Sequence, residues 1–341
     1  VMPFYDDGIM NIYHLQNSRG SNSMYYHPIS RVTTKDFIHY KDEGIAIHYE
    51  ENYSSPDAAI GTGSFIKDKN GKYHCFYTGH NAAEGTGLPF IEVIRHAVSD
   101  DQKEWQKDEQ FNLYGDCNDF RDPYVYFDEL DQIYYMLVTT RANGTGVIKQ
   151  YACEDLSLGD KDWKDMGVFF WNDEGSYNME CPSYLEYNGF YYLAYSEQGD
   201  NRVTHYRFRT SHDGPWKKFE RDSIDASGFY AGRLEKVEDA LYAFAWCANL
   251  TGGFTGEFDW GGNLVVHKLV QTASGELNAV MVDNVFKELC NSVEYKTIED
   301  KKLESLSFAA SEFRSVCVQK LRRTITRVSF TFSLEERVGD F

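Results

Sequence analysis

Hydrophobic and aromatic residues alternate with polar ones in short stretches along most of the chain, a pattern that indicates β-strands rather than helices. Most of the strongest stretches follow a hairpin turn such as DDG, KNG or YNG. These stretches are IMNIYHLQN (9–17), KYHCFYTGHN (72–81), IYYMLVTTRA (133–142), FYYLAYSEQG (190–199) and LYAFAWCANL (241–250). Aligned by pattern, the stretches place five residues at equivalent positions, namely His14, Tyr77, Val138, Tyr195 and Trp246. These positions recur at intervals of roughly 50 to 65 residues, so the chain is predicted to contain five structural repeats.

A second element follows most of these strands. It reads Ser, Thr or Cys, then any residue, then Asp, with an aromatic residue shortly afterwards, and it occurs as TKDFIHY (34–40), SDDQKEW (99–105), CEDLSLGDKDW (153–163) and SHDGPW (211–216). All-strand units of this length are typical of four-stranded propeller blades. We therefore expect an all-β fold with a five-bladed β-propeller over residues 1–290. A β-sandwich is the alternative, but sandwiches do not usually repeat one motif at this spacing.

Residues 291–341 follow a different pattern, with a charged stretch and then alternating apolar and polar positions. A segment of about fifty residues is too short for an independent sandwich of ordinary size. We predict a linker and the opening of a truncated C-terminal β-sandwich.

Composition excludes several classes of function. The net charge of −19 argues against nucleic acid, because phosphate binding requires a surplus of Lys and Arg. No stretch is apolar enough for a membrane helix, and the first residues do not resemble a signal peptide. The seven cysteines are scattered without metal-ligand spacing, which favours free thiols in a reducing compartment and hence the cytoplasm. We expect no metal and no cofactor; the oligomeric state is not predicted.

Two acidic triplets directly precede the first strand of a predicted blade. They are Arg121-Asp122-Pro123 and Glu180-Cys181-Pro182. The innermost strands of a propeller line its central channel, so carboxylates from neighbouring blades would converge on one funnel. Glycoside hydrolysis requires such a group of carboxyls, one protonating the leaving oxygen and another facing the anomeric carbon.

In combination, these motifs resemble glycoside hydrolase family 32, the β-fructosidases. The resemblance rests on RDP (121–123), ECP (180–182), FYA (229–231) and GTGSFIKDKNGKYHCFYTG (61–79), in the family's order along residues 1–290. It implies a retaining hydrolase that acts on small carbohydrates such as sucrose or fructans, and the same site could transfer the fructosyl unit to another sugar.

The resemblance also implies roles for individual residues. Glu180 would be the general acid/base, and Asp122 would bind fructosyl hydroxyls and support the oxocarbenium-like transition state. Arg121 would hold Asp122 and a sugar hydroxyl. Substrate contacts are implied for the remaining residues, Thr62, Tyr230 and Trp246, with Tyr230 also adjusting the pKa of Glu180. The family's nucleophilic Asp is expected immediately before Val1.

Two other functions stay open at this point. An arabinosidase or xylosidase of family 43 would use the same propeller, although the ECP and FYA motifs speak against it. A sugar-binding propeller without catalysis would follow if the nucleophile before Val1 were absent.

Overall fold

In the computed structural model, each of the five aromatic stretches forms the second strand of its own antiparallel sheet. The structure describes residues 1–16, 27–52, 54–172, 177–198, 202–250 and 258–291, with the backbone only for 249–250, 258–260 and 289–291. The predicted β domain of residues 291–341 lies outside the described residues, apart from residue 291.

Five sheets follow one another along the chain, and each is a meander in which consecutive strands pair. Blade 1 contains β1 (Met2–Asp6), β2 (Ile9–Leu15), β3 (Ile29–Thr34) and β4 (Tyr40–Ile47). Blade 2 contains β5 (Ala59–Lys67), β6 (Tyr73–His80), β7 (Glu92–Ser99) and β8 (Gln106–Lys107). Blade 3 contains β9 (Phe120–Asp128), β10 (Ile133–Ala142), β11 (Thr145–Cys153) and β12 (Lys164–Trp171), with a 3₁₀ turn at Asp160–Asp162.

The last two blades complete the repeat. Blade 4 contains β13 (Met179–Tyr187), β14 (Phe190–Glu197) and β15 (Thr204–Arg209). Blade 5 contains β16 (Phe229–Val237), β17 (Ala240–Leu250), β18 (Phe258–Gln271) and β19 (Leu277–Met281), and helix α1 (Asp283–Asn291) follows. Blade 4 therefore has three strands in its described part, where four were predicted; isolated bridges at Lys217 and Ser223 stand where a fourth strand would run. In the described part of the chain, no helix is long and apolar enough to cross a membrane.

The first strand of every blade lines the centre of the molecule. β1 contacts β5, β5 contacts β9, β9 contacts β13, β13 contacts β16, and β16 contacts β1 again. This closed ring confirms the predicted five-bladed propeller.

Aromatic side chains fill the junctions between blades, and this explains the aromatic content of the repeat. Tyr13 of blade 1 stacks on Phe65 of blade 2 with ring centroids 3.5 Å apart. Phe76 of blade 2 packs edge-on against Trp163 of blade 3 at 5.4 Å. Offset and edge-on aromatic pairs add stabilisation beyond the area that they bury.

The turn after each third strand also has a physical explanation. In blade 1, Thr34 Oγ1 accepts a hydrogen bond from the amide of Phe37 at 2.8 Å, and Asp36 Oδ1 accepts from the two amides that follow. In blade 2, Ser99 and Asp101 make the same pattern of bonds. Short polar side chains satisfy the backbone donors of a turn in this way, so the repeated Ser/Thr-x-Asp marks the hairpin that leads into the fourth strand.

Four of the five inner strands contain a β-bulge at the same level. Two residues of the inner strand stand opposite a single residue of its neighbour: 61 and 62 in blade 2, 122 and 123 in blade 3, 181 and 182 in blade 4, 231 and 232 in blade 5. The first bulge residue has a positive φ in three blades, namely 58° at Asp122, 53° at Cys181 and 53° at Ala231. Bulges re-aim side chains and are frequent beside functional sites.

Candidate active site

The bulges bring polar side chains from four blades together at one end of the channel. This end, where the inner strands begin, is called the funnel end below. Thr62, Asp122, Glu180 and Tyr230 all lie in or next to a bulge, and their side chains form one connected set of hydrogen bonds and ion pairs with Arg121. The structure therefore brings these five sequence-predicted site residues together.

Glu180 is buried, with 9% of its surface exposed, and both of its oxygens have a donor. Arg121 donates to Oε1 from Nη2 at 2.8 Å and from Nε at 3.2 Å, and the hydroxyl of Tyr230 donates to Oε2. Burial raises the pKa of Glu180, the neighbouring charge of Asp122 raises it further, and the two donors oppose these effects. A carboxyl with a raised pKa can keep its proton at a pH where an exposed Glu is ionised, which is the requirement for a general acid.

Asp122 is held by the blades on either side of its own. Its Oδ1 accepts from the hydroxyl of Thr62 in blade 2, and its Oδ2 accepts from the amide of Cys181 in blade 4 at 3.0 Å. Its own amide donates to Thr78 Oγ1 at 2.9 Å. The backbone of Asp122 has a positive φ, a conformation that a non-glycine residue seldom adopts. The three hydrogen bonds hold it there and set the orientation of the carboxylate before any ligand binds.

The same environment affects the thiol of Cys181. Its side chain is buried beside Asp122, and Sγ lies 3.6 Å from Thr62 Oγ1. Burial, together with the charge of Asp122, raises the pKa of this thiol to about 12. Cys181 is therefore a neutral packing residue of the site and not a thiolate nucleophile.

Arg121 makes more contacts than the resemblance implied. Its Nε forms the expected ion pair with Asp122 Oδ2 at 3.9 Å, but its contact with Glu180 at 2.8 Å is shorter. Its Nη1 bonds Glu92 at 3.1 Å and Asp119 at 2.9 Å. The reason is the bulge, which places Arg121 and Glu180 at equivalent positions of neighbouring inner strands, so their side chains meet across the blade junction.

Trp246 lies on the second strand of blade 5, beside Tyr230. It pairs with Tyr230 across the strands of blade 5, and the two rings meet edge-on with centroids 5.7 Å apart. The guanidinium of Arg202 lies 5.8 Å from its ring centroid. Trp246 therefore supports the ring of Tyr230.

Several site residues were missed by sequence reasoning. Asn178 donates to Asp119 Oδ1 at 3.0 Å and to Gln198 Oε1 at 3.0 Å, which joins blades 3 and 4 beside Arg121. The sequence did contain a signal for Asp119 and Asn178. Asp119 stands two residues before Arg121, and Asn178 stands two residues before Glu180, at the same place relative to each triplet. No local signal marks Gln198, or Glu92, which reaches Arg121 from the third strand of blade 2.

One further charged side chain lies under the site. Arg233 of β16 has 1% of its surface exposed, and its Nη2 donates to the carbonyl oxygen of Asp122 at 3.4 Å. Its Nε and Nη1 have no hydrogen-bond partner among the described residues. Burial lowers the pKa of the Val1 amino group, and the neighbouring Cys181, Arg233 and Asp122 also affect it, so the backbone before β1 lies in the same environment as these residues.

A separate group of possible ligands lies at the opposite end of blade 3. Donor atoms of Asp128, Asp131 and His212 lie within 4.8 Å of one another. The group already has internal partners, because His212 Nε2 lies 2.8 Å from Asp128 Oδ2 and Asp131 Oδ2 accepts from Tyr135 at 2.8 Å. The contact of His212 with Asp128 joins blades 3 and 4 at this end.

Comparison with known proteins agrees with this geometry. The family model described as "Glycosyl hydrolases family 32 N-terminal domain" matches residues 2–278. A "Levanbiose-producing levanase" of Bacillus subtilis is 27% identical over 273 residues, which cover 73% of this chain and 46% of the levanase. The chain thus spans about half the length of this curated relative.

Solved structures show the same fold. Fructan 1-exohydrolase IIa of Cichorium intybus superposes with a TM-score of 0.67 at 16% identity, over 84% of this chain and 58% of that one. The GH43 BlXynB protein of Bacillus licheniformis superposes with a TM-score of 0.59 at 16% identity, over 82% of this chain and 53% of that one. The propeller is therefore common to both families, and the sequence match to the family 32 model distinguishes between them.

Proposed function

Because the chain belongs to glycosyl hydrolase family 32, we propose that it hydrolyses β-fructosides, with Glu180 as general acid/base and Asp122 as the carboxylate that supports the transition state. One observation carries the assignment. Glu180 is a buried carboxyl whose pKa is raised, and it is held by Arg121 and Tyr230 beside the oriented carboxylate of Asp122. The name of the levanase relative fits this chemistry.

The proposed reaction needs a carboxylate on the far side of the anomeric carbon. In a retaining mechanism this nucleophile forms a glycosyl–enzyme intermediate while the acid protonates the leaving oxygen, and water then attacks with the same residue acting as base. We assign the nucleophile to an Asp immediately before Val1, as the resemblance implied. The buried position of the Val1 nitrogen supports this assignment, since a side chain there would be close to Asp122 and Arg233.

Removal of the proton donor tests the assignment of Glu180. In protein that includes the residues upstream of Val1, Glu180→Gln should lower the turnover of sucrose by about 10²–10⁴-fold, because an alkoxide leaves poorly without a proton. The first step on an aryl fructoside with an activated leaving group should be much less affected. Asp122→Asn should slow both substrates alike, because it weakens contacts to the fructosyl unit itself.

A carboxyl on the same strand provides the control. Glu186 lies at the other end of β13, is exposed, and accepts a hydrogen bond from the amide of Gly189. Glu186→Gln should leave both activities unchanged. Equal losses of Glu180→Gln on the natural and the activated substrate would refute the role of Glu180. Binding of sucrose without turnover by the parent protein would favour a sugar-binding propeller, and turnover of an arabinofuranoside or xyloside instead would favour a family 43 activity.

A further inference from the structure

Two large aromatic side chains are exposed at the funnel end of blade 3, beside the connection to Glu180. Trp171 is the last residue of β12 and is 49% exposed. Tyr177, three residues before Glu180, is 55% exposed. Single exposed aromatics are common on protein surfaces and need no explanation, so it matters how these two are held and where they lie.

Tyr177 is held firmly despite its exposure. The guanidinium of Arg141 lies 3.6 Å from its ring centroid, and Arg141 Nη2 is itself fixed by the carbonyl of Gly144 at 2.7 Å. A cation over one face of the ring leaves the other face for a ligand. The next residue, Asn178, is tied to Asp119 in the site network, so the backbone that carries Tyr177 is anchored to the carboxyl cluster.

Trp171 lies next along the same rim. It pairs with Val147 at the start of β11, and the neighbouring Gly146 packs directly against the backbone of Tyr177 and Asn178. β12 is the outermost strand of blade 3, whereas β13, which carries Glu180, is an innermost strand. The order Glu180, Tyr177, Trp171 therefore runs from the centre of the funnel to its edge.

Glu180 protonates the leaving group in the proposed reaction, so the leaving group lies on its side of the cleaved bond. We propose that Tyr177 and Trp171 form a stacking surface for the distal sugar units of this leaving group, which makes oligomeric fructans the preferred substrate class over sucrose. The inference rests on the proposed function. Flat aromatic faces fit sugar rings because the apolar face of the ring loses water while the hydroxyls at its edge remain solvated.

Binding can be measured without turnover by titrating sucrose and a linear fructan pentasaccharide into the Glu180→Gln protein calorimetrically. Adding Tyr177→Ala should weaken binding of the pentasaccharide by about tenfold and change sucrose binding by less than about twofold. Trp171→Ala should affect only the pentasaccharide, and Tyr177→Phe should restore its binding. Tyr40→Ala is the matched control, since Tyr40 is 43% exposed on the outer strand of blade 1.

The possible outcomes separate the two proposals. If the pentasaccharide binds and Tyr177→Ala leaves its affinity unchanged, or weakens both sugars equally, the stacking surface is refuted while the proposed function stands. If the parent binds neither sugar, or binds a xylo-oligosaccharide in their place, the proposed function fails and this inference fails with it. A loss with Tyr40→Ala as large as that with Tyr177→Ala would show a non-specific effect and would also refute the surface.

Discussion

The hydroxyl of Tyr230 lowers the pKa of Glu180 against the larger effect of burial, and its removal should therefore move the pH profile. In Tyr230→Phe, the ring keeps its edge-on contact with Trp246, but Glu180 Oε2 loses its donor. That donor stabilises the ionised carboxylate, so its loss raises a pKa that burial and Asp122 have already raised. The basic limb of kcat/KM, which reports the pKa of the general acid in the free enzyme, should move to higher pH.

The size of the shift follows from the energy of one charge-assisted hydrogen bond. Such a bond contributes about 1.5–3 kcal/mol, and one pKa unit corresponds to about 1.36 kcal/mol. The basic limb should therefore rise by about 1–2 pH units for sucrose. The smaller value is expected if a water takes the place of the lost hydroxyl and donates to the Glu180 carboxylate.

Steady-state kinetics between about pH 4 and pH 9 would measure this shift on both sides of neutrality. Tyr13→Phe is the control, because Tyr13 is a buried tyrosine of blade 1 whose hydroxyl donates to Gln102 at 3.1 Å, far from the carboxyl cluster. It should lower the free energy of unfolding and leave the pH profile in place. A basic limb that stays fixed or moves to lower pH in Tyr230→Phe would contradict the role given to this hydrogen bond.

Two further predictions concern stability. Burial raises the pKa of Glu235, which accepts from the amide of Tyr5, from its ordinary value of 4.5 to about 8. Its contribution to stability is therefore fully present below about pH 4.5 and is lost as the pH rises to about 8, and Glu235→Gln should remove this loss when melting temperatures at about pH 4.5 and pH 9 are compared. Gly146→Ala should lower the melting temperature markedly, because a Cβ at residue 146 would lie 2.7 Å from the backbone of Asn178. Gly261→Ala is the control and should be nearly neutral, because the space around Gly261 is open. Equal melting temperatures for the two variants would disprove the close contact.

The sequence predicted the blades because each blade buries its second strand on both sides, so that strand must be apolar and aromatic whatever surrounds it. The alignment within the blades was less accurate. Val138 and Tyr195 stand opposite a bulge, as aligned, but the residue opposite the bulge is Thr78 in blade 2 and Ala245 in blade 5, one position away from Tyr77 and Trp246. A shift of one residue reverses the face to which a side chain points, and pattern alone does not determine it.

The same limit explains the result at Arg121. Asp122 occupies the positive-φ position that Cys181 and Ala231 occupy in the next two blades, so the counterpart of Glu180 in blade 3 is Arg121 and not Asp122. The bulges that create this offset have no sequence signature of their own. Contacts between distant residues, such as that of Glu92 with Arg121, depend on the closure of the whole ring.

The five junctions between neighbouring blades are not all held together in the same way. Four of them are crossed by the chain as it passes from the outer strand of one blade to the inner strand of the next, but blades 5 and 1 meet through non-covalent contacts such as the bond from Tyr5 to Glu235 and the stacking of Phe37 on Tyr242. Local opening should enter the ring at this seam. Asp122 and Glu180 belong to blades 3 and 4, but Tyr230 and Arg233, which bond them, belong to blade 5 at this seam. Opening at the seam should therefore remove partners of the two carboxyl groups before it moves the carboxyl groups themselves.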